Sequence, residues 1–400
     1  MEIHGSCSTQ FSTVREAFAD SLRNGADVGA SVAVYLDGEP VVDLWGGYTD
    51  QARTRLWQRD TITNVWSTTK TMTALCALVL ADRGELDLSA PVAKYWPEFG
   101  IGGKERVEIR HLLSHTAGLP DWDQPMSLDD LCDWEKATSL LARQTPRWEP
   151  GTKSGYHRFT YGFLIGEVVR RVCRQSIGAF FADQIAGPLG ADFHIGLAAE
   201  DDHRVSDCIP APDPAPAPNP RVTIPVGAYV TAEDTWSTQW RRAEIPAAAG
   251  YGNARSVAAI QSVLVSASQA TSAPLLSETT CRAVFGEQSH GIDLVLGIPL
   301  RFGIGYALTA DDAPVSTTNL RTGYWGGRGG SLVVNDLDTR MTFAYVMNQM
   351  SHKGLTDPRG QILLQATCQA LTAWPKATLP NRPTPTRAGL TTRRRGGEAP

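Results

Sequence analysis

The strand-forming segments of this 400-residue chain lie at its two ends, and that placement limits the folds open to it. Near the start, Ala30 to Leu36 runs toward Asp37-Gly38, a two-residue turn signal, and Val41 to Trp45 returns, which predicts an antiparallel hairpin. Near the other end, Ser331 to Asn335 and Met341 to Met347 form a second pair of apolar runs, separated by Asp336-Leu337-Asp338-Thr339-Arg340. Helical patterns fill the middle: Thr68 to Arg83 closed by Gly84, Thr160 to Arg174, and Ser256 to Ser268 opened by a capping serine. Two more, Phe11 to Arg23 and Arg359 to Thr372, flank the terminal strands. The order fits an α/β architecture, an antiparallel sheet flanked by helices with an inserted mainly α-helical region. The expected boundaries are 1–100 with 245–378 for the sheet region, 101–244 for the helical region and 379–400 for a flexible tail of Pro, Thr, Arg and Gly. Within the helical region, Pro210 to Pro220 alternates proline with Ala, Asp and Asn, so it reads as an extended connector and not as a central strand.

Charge and composition exclude several classes of function. With 42% hydrophobic residues, 20% charged and a net charge of -5, the chain reads as an ordinary globular protein without the basic field that holds nucleic acid or an anionic bilayer. Its longest apolar stretch, Ala74 to Ala81, is far short of the ~20 residues of a membrane span. Met1 to Gly25 has no basic start followed by an unbroken apolar core, so no export signal is visible and a cytoplasmic location is expected. The 7 cysteines are scattered and form no C-x-x-C pair, a pattern of reduced, mostly buried thiols. His111 and His115 are four apart, but no Glu follows His111 as in H-E-x-x-H, and Gly118 and Pro120 come directly after; they read as structural loop residues. No metal ligand set and no cofactor motif is expected.

The chemistry concentrates in three stretches. In Trp66-Ser67-Thr68-Thr69-Lys70, at the start of an apolar helix, positions i and i+3 share a face, so the Ser67 hydroxyl and the Lys70 amine meet within one turn. A lysine of ordinary pKa, about 10.4, cannot accept a proton at neutral pH, so burial or a neighbouring cation must lower it. The second stretch, Pro150-Gly151-Thr152-Lys153-Ser154-Gly155-Tyr156-His157-Arg158, offers Tyr156 as a phenol that could shuttle the serine proton, as a tyrosinate coupled to Lys70. Tyr161 is its rival, one turn into an apolar helix. The third, Gly323-Tyr324-Trp325-Gly326-Gly327-Arg328-Gly329-Gly330-Ser331, has the glycines that let a strand edge come close to a ligand and present backbone N–H groups to an oxyanion.

These stretches, together with Ala81-Asp82-Arg83-Gly84-Glu85-Leu86-Asp87-Leu88, Tyr95-Trp96-Pro97-Glu98-Phe99 and His111-Leu112-Leu113-Ser114-His115-Thr116-Ala117-Gly118-Leu119-Pro120, resemble the serine β-lactamase-related family. Within it the likeness is to the family VIII carboxylesterases and their acyltransferase relatives, and it spans roughly residues 10 to 375. The resemblance implies a class C β-lactamase-like (penicillin-binding-protein-like) fold and an acyl-enzyme mechanism without metal or organic cofactor. It implies Ser67 as nucleophile, Lys70 as its paired lysine and Tyr156 as the catalytic tyrosine. Trp325-Gly326-Gly327 stands in place of the family's K-T-G or H-x-G triplet, and the Arg328 N–H would join that of Ser67 in the oxyanion hole. Two departures carry information. Tyr156-His157-Arg158 replaces Tyr-x-Asn, and Trp325 replaces the triplet's cation, which helps bind the carboxylate of a β-lactam. The Trp-Gly-Gly form thus implies the esterase branch, unless Arg158 or Arg328 turns inward to supply the anchor.

The expected activity is hydrolysis of a small ester, thioester or amide through an acyl-enzyme. The alternative is acyl transfer to an amine or alcohol, with a non-catalytic binding protein a distant third. His157 is expected either to tune the tyrosine or line the pocket, or else to face solvent in a turn. Trp122, Trp236 and Trp240 are expected either to overhang the cleft as an aromatic acyl pocket or to pack in the core or on the surface.

Overall fold

The computed structural model describes residues 2–372 apart from 218, 225, 226, 228, 267–273, 316 and 318. The expected tail, 379–400, and the end of the helix expected over Ser256 to Ser268 lie outside the described residues.

The chain begins with β1 (Ile3–Cys7), the helix Ser12–Arg23, and the hairpin β2 (Gly29–Leu36) and β3 (Glu39–Gly47). Asp37 and Gly38 make the turn with φ of 54° and 86°, the left-handed pair that matches the twist of the strands. Four short strands follow, β4 (Ile62–Asn64), β5 (Phe193–Ile195), β6 (Val205–Ser206) and β7 (Gly250–Gly252). Last come β8 (Ser289–Ile292), β9 (Pro299–Phe302), β10 (Ala307–Leu308), β11 (Thr322–Gly326), β12 (Leu332–Asp336) and β13 (Met341–Met347).

The main sheet has nine strands in the order β1-β3-β2-β13-β12-β11-β10-β9-β8, all antiparallel. Its centre is the pairing of β2 with β13, Ala30 opposite Met347 through Leu36 opposite Met341, so the two chain ends meet there as expected. Ser12–Arg23 and Pro358–Thr372 cover one face, where Phe11, Val14, Phe18, Leu363 and Leu364 are buried. On the other face Ala254–Gln261 packs on β2 and β13. This helix is capped by Asn253, whose side chain accepts the Ser256 N–H at 3.0 Å while the Ser256 hydroxyl accepts the Asn253 N–H. Ser256 is therefore the third helical residue of a capping box, not the cap the sequence reading made it.

Helix Thr69–Asp82 is buried on all sides from Thr69 to Leu80, and it packs against Thr160–Cys173. A continuous apolar run suits a helix enclosed by others better than one with a solvent face. No sequence periodicity announced the small sheet β5-β7-β4-β6, whose strand β4 leads into this helix. Among the described residues, no helix is long and apolar enough to cross a membrane.

Candidate active site

Strand β4 delivers the chain to Asn64, and the backbone then turns sharply. Trp66 takes a left-handed conformation, φ 50°, which is rare for a bulky residue, and the 3-10 turn Trp66–Thr68 runs directly into the buried helix. Hydrogen bonds fix this turn from two sides. Thr69 Oγ1 donates to the Trp66 carbonyl at 2.5 Å and accepts the Gly250 N–H at 2.9 Å. Ser331 Oγ donates to the Val65 carbonyl at 2.9 Å and lies 3.0 Å from Thr68 Oγ1. Gly327, just past the end of β11, is pressed so close that a Cβ there would stand 2.2 Å from the Val65 oxygen. The glycine-rich strand end and the serine turn are thus one packed unit, with the closest approach at Gly327 made to the Val65 backbone.

Lys70 is 1% exposed and has three neighbours for its amine: the Arg158 carbonyl at 2.6 Å, the Ala247 carbonyl at 2.9 Å and Ser67 Oγ at 3.2 Å. No carboxylate is among them. As an ammonium Lys70 donates to all three; once neutral, it can keep two N–H groups on the two carbonyls and turn its lone pair to the serine hydroxyl. Burial first, and the Arg158 charge second, hold Lys70 well below the usual lysine range. Burial thus favours the neutral form of the amine that lies beside the serine hydroxyl.

The Tyr156 ring centroid is 4.8 Å from Lys70 Nζ. Burial pushes the Tyr156 phenol up, opposed by its neighbours Ser67, Trp325 and Arg158. Burial thus favours the protonated phenol, where the sequence reading offered a tyrosinate coupled to Lys70. Tyr156 is held by its backbone: its N–H donates to Asp293 Oδ1 at 3.0 Å, and the same oxygen accepts from Val295 and Leu296 at 3.0 and 2.9 Å. Tyr161 lies farther from the amine, 6.0 Å from ring centroid to Nζ, in the core behind the cleft.

His157 neither lines the cleft nor faces solvent. Its ring is fully buried, with Nε2 accepting the Leu119 N–H at 3.2 Å and Nδ1 2.7 Å from the Gly155 carbonyl, and burial holds it down to about 3. It shapes the Tyr156 turn from behind, where its own N–H donates to His115 Nδ1 at 3.1 Å. His115 packs at a tilt against the Tyr156 ring, centroids 4.9 Å apart, while His111 closes a capping box with Glu108. Trp240 is buried behind the serine turn, its ring 6.0 Å from that of Trp66 and its Nε1 donating to Asn64 Oδ1 at 3.1 Å. Trp122 is buried in the helical core, and Trp236, 43% exposed, donates to the Cys208 carbonyl. None of these three forms an aromatic acyl pocket.

A cleft of about 510 Å³ opens over Ser67 and Tyr156. Trp325, Gly326, Gly327 and Arg328 form one wall and Arg158 and Phe159 another, with Tyr229, Leu296, Ile298 and the loop from His352 to Thr356 at the rim. The sequence brought Ser67, Lys70, Tyr156 and the Trp325–Arg328 wall into view. It did not bring Asp293 or the apolar rim, because single residues in loops carry no periodicity by which to find them.

Residues 14–367 match the sequence profile of the Beta-lactamase family. Esterase/beta-lactamase LipL of Mycobacterium tuberculosis (strain ATCC 25618 / H37Rv) is 32% identical over 391 residues, covering 92% of this chain and 89% of that protein. The crystal structure of a family VIII carboxylesterase superposes with a TM-score of 0.85 at 37% identity, covering 92% of this chain and all (100%) of the other. A penicillin-binding protein homologue from Caulobacter crescentus gives 0.84 at 32% identity, with 92% and 100% covered.

Proposed function

The chain belongs to the β-lactamase family and is a serine hydrolase of the carboxylesterase type, and from that premise we propose that Ser67 is its nucleophile, Lys70 the resting base and Tyr156 the proton carrier to the leaving group. Ser67 Oγ attacks the carbonyl carbon of a small ester as Lys70 Nζ takes its proton. The carbonyl oxygen becomes an oxyanion, held by the backbone N–H groups of Ser67 and Arg328. The C–O bond to the alcohol then breaks, the proton passes from Lys70 through Tyr156 to the departing alkoxide, and the acyl group stays on Ser67. Water then attacks the acyl carbon as the same pair takes its proton, the bond from that carbon to Ser67 Oγ breaks, and the proton returns to Oγ as the acid leaves.

The observation that carries this reading is the environment of Lys70, whose amine has two carbonyls for its N–H groups and Ser67 Oγ 3.2 Å away. Intact-mass analysis of the protein mixed with nitrophenyl esters or thioesters tests it. The expected result is a single acyl adduct that is absent in Ser67→Ala. An adduct that persists in the variant would remove the assignment. Product analysis with added amines and alcohols separates hydrolysis from acyl transfer at the same serine.

A further inference from the structure

His115 stands where a side chain is costly. It follows Ser114, the C-cap of helix Ile109–Leu113, and takes a left-handed conformation, φ 61°. Glycine or asparagine usually fills this place, since for other residues the Cβ crowds the following carbonyl oxygen. A strained residue packed against a site points to a use for its side chain. The His115 ring is buried among those of Tyr156, Tyr161 and Phe302, with centroids 4.9, 4.8 and 4.9 Å away.

Its hydrogen bonds show what the side chain does. The His115 carbonyl accepts the Gly155 N–H at 3.0 Å, and its Nδ1 accepts the His157 N–H at 3.1 Å. One residue thus takes the N–H groups on both sides of Tyr156, while the Tyr156 N–H goes to Asp293. The second of these bonds exists only for a neutral imidazole whose proton sits on Nε2, because a protonated Nδ1 is a donor. Burial first, with His157 and Lys70 adding to it, holds His115 well below the usual histidine range, in agreement with that form. His157 needs the opposite tautomer: its Nε2 accepts the Leu119 N–H, so Nδ1 carries the proton toward the Gly155 carbonyl 2.7 Å away. Two adjoining imidazoles, centroids 5.5 Å apart, are therefore held in complementary forms.

We infer that His115 is a positioning residue for Tyr156, using the Nδ1 acceptor of its Nε2–H tautomer to fix the turn from which the phenol reaches the cleft. The inference rests on the reading of Tyr156 as proton carrier. His115 is not part of the cleft lining, so it acts through the turn and not on the substrate.

Three variants separate the acceptor from the backbone shape. Asparagine offers an acceptor oxygen near the place of Nδ1 and tolerates the left-handed backbone, glycine suits the backbone alone, and leucine suits neither. With nitrophenyl acetate, His115→Asn keeps kcat within about threefold of wild type, whereas His115→Gly and His115→Leu lose about 10- to 100-fold in kcat with KM little changed. Equal activity in His115→Asn and His115→Gly, or an equal loss in all three, overturns the inference. If His115→Leu fails to fold, the asparagine and glycine variants decide. Long-range proton–nitrogen correlation spectra of protein with isotope-labelled histidines, assigned by His115→Asn, read the tautomer independently of catalysis. The expected spectrum has the His115 proton on Nε2 and the His157 proton on Nδ1, and a proton on His115 Nδ1 overturns the inference. A double-variant cycle then tests the route. In Tyr156→Phe protein, His115→Gly slows acylation of Ser67, followed by intact mass, by less than about threefold, and an undiminished loss there overturns the inference. A crippled Tyr156→Phe beside a fully active His115→Gly leaves the proton-carrier reading standing and removes the inference, whereas a fully active Tyr156→Phe removes both.

Discussion

The buried carboxylate of Asp293 holds Tyr156 by its backbone, accepting the Tyr156 N–H at 3.0 Å across 137 residues of sequence. The same Oδ1 organises the turn that brings Leu296 to the cleft rim, so one oxygen positions both Tyr156 and part of the cleft lining. Asp293→Ala is expected to lower kcat by about 10- to 100-fold through misplacement of the phenol. Asp293→Asn, which keeps an oxygen acceptor, should retain most of it. Steady-state kinetics of both variants check this, and equal losses in the two would mean that the charge, not the hydrogen bond, matters.

Ser67→Ala should abolish ester turnover, with Lys70→Ala and Tyr156→Phe nearly as damaging, about 10³-fold or more, since the proposed relay needs all three. Tyr161→Phe should be mild by comparison, as its ring lies farther from the Lys70 amine than that of Tyr156. A crippled Tyr161→Phe beside an active Tyr156→Phe would exchange their roles.

The pH dependence follows from the Lys70 amine. Because its folded pKa is depressed, the active range should extend below the ordinary lysine range, and activity should fall on the acid side as the lone pair is protonated. The unfolded chain binds more protons than the folded one between that depressed value and the ordinary lysine value, so this group's contribution to stability rises with pH across that window. Arg158 contributes to the depression, so Arg158→Gln should move the acid limb of kcat/KM to higher pH. A limb that stays in place would assign the titration to another group. His157, held down to about 3, stays neutral throughout.

Gly327→Ala should disable the site while sparing the sheet. The added Cβ, 2.2 Å from the Val65 oxygen, forces the end of β11 away from the serine turn and shifts the Arg328 N–H with it. A fall in kcat of about 100-fold with little change in thermal midpoint is the expected outcome.

Arg359 is 9% exposed and pairs with Asp27 at 3.0 Å and Asp357 at 2.7 Å, while it donates to the Gly329 carbonyl at 2.8 Å, one residue beyond Arg328. Arg359→Met strands two buried carboxylates and is expected to cost about 3–5 kcal/mol, measured by urea unfolding.

Much of this was legible in the sequence where a residue type has one conformational meaning. Asp37-Gly38 marked its turn because left-handed φ selects such residues, and the Ser67-to-Lys70 spacing placed both groups in one helical turn. The reading failed where tertiary partners decide. Ser256 looked like a cap, yet Asn253 three residues earlier takes that place. His157 looked like a pocket residue because it adjoins Tyr156, but the turn points its ring inward to Leu119. The state of Tyr156 depends on burial, which its neighbours in sequence do not reveal.

The pairing of β2 with β13 also bears on how the molecule forms. Gly29 donates to the Asn348 side chain across 319 residues, and the hairpin that starts the sheet has no central partner until β13 has been made. During synthesis the exposed edge of β2 must wait while the intervening chain accumulates. Closing so long a loop adds only slowly to the entropic cost, but it makes the decisive contacts non-local, and non-local strand pairing is slow. The sheet centre is therefore expected to be a late event in folding, and the waiting β2 edge is the place where an incomplete chain is most exposed to pairing with another.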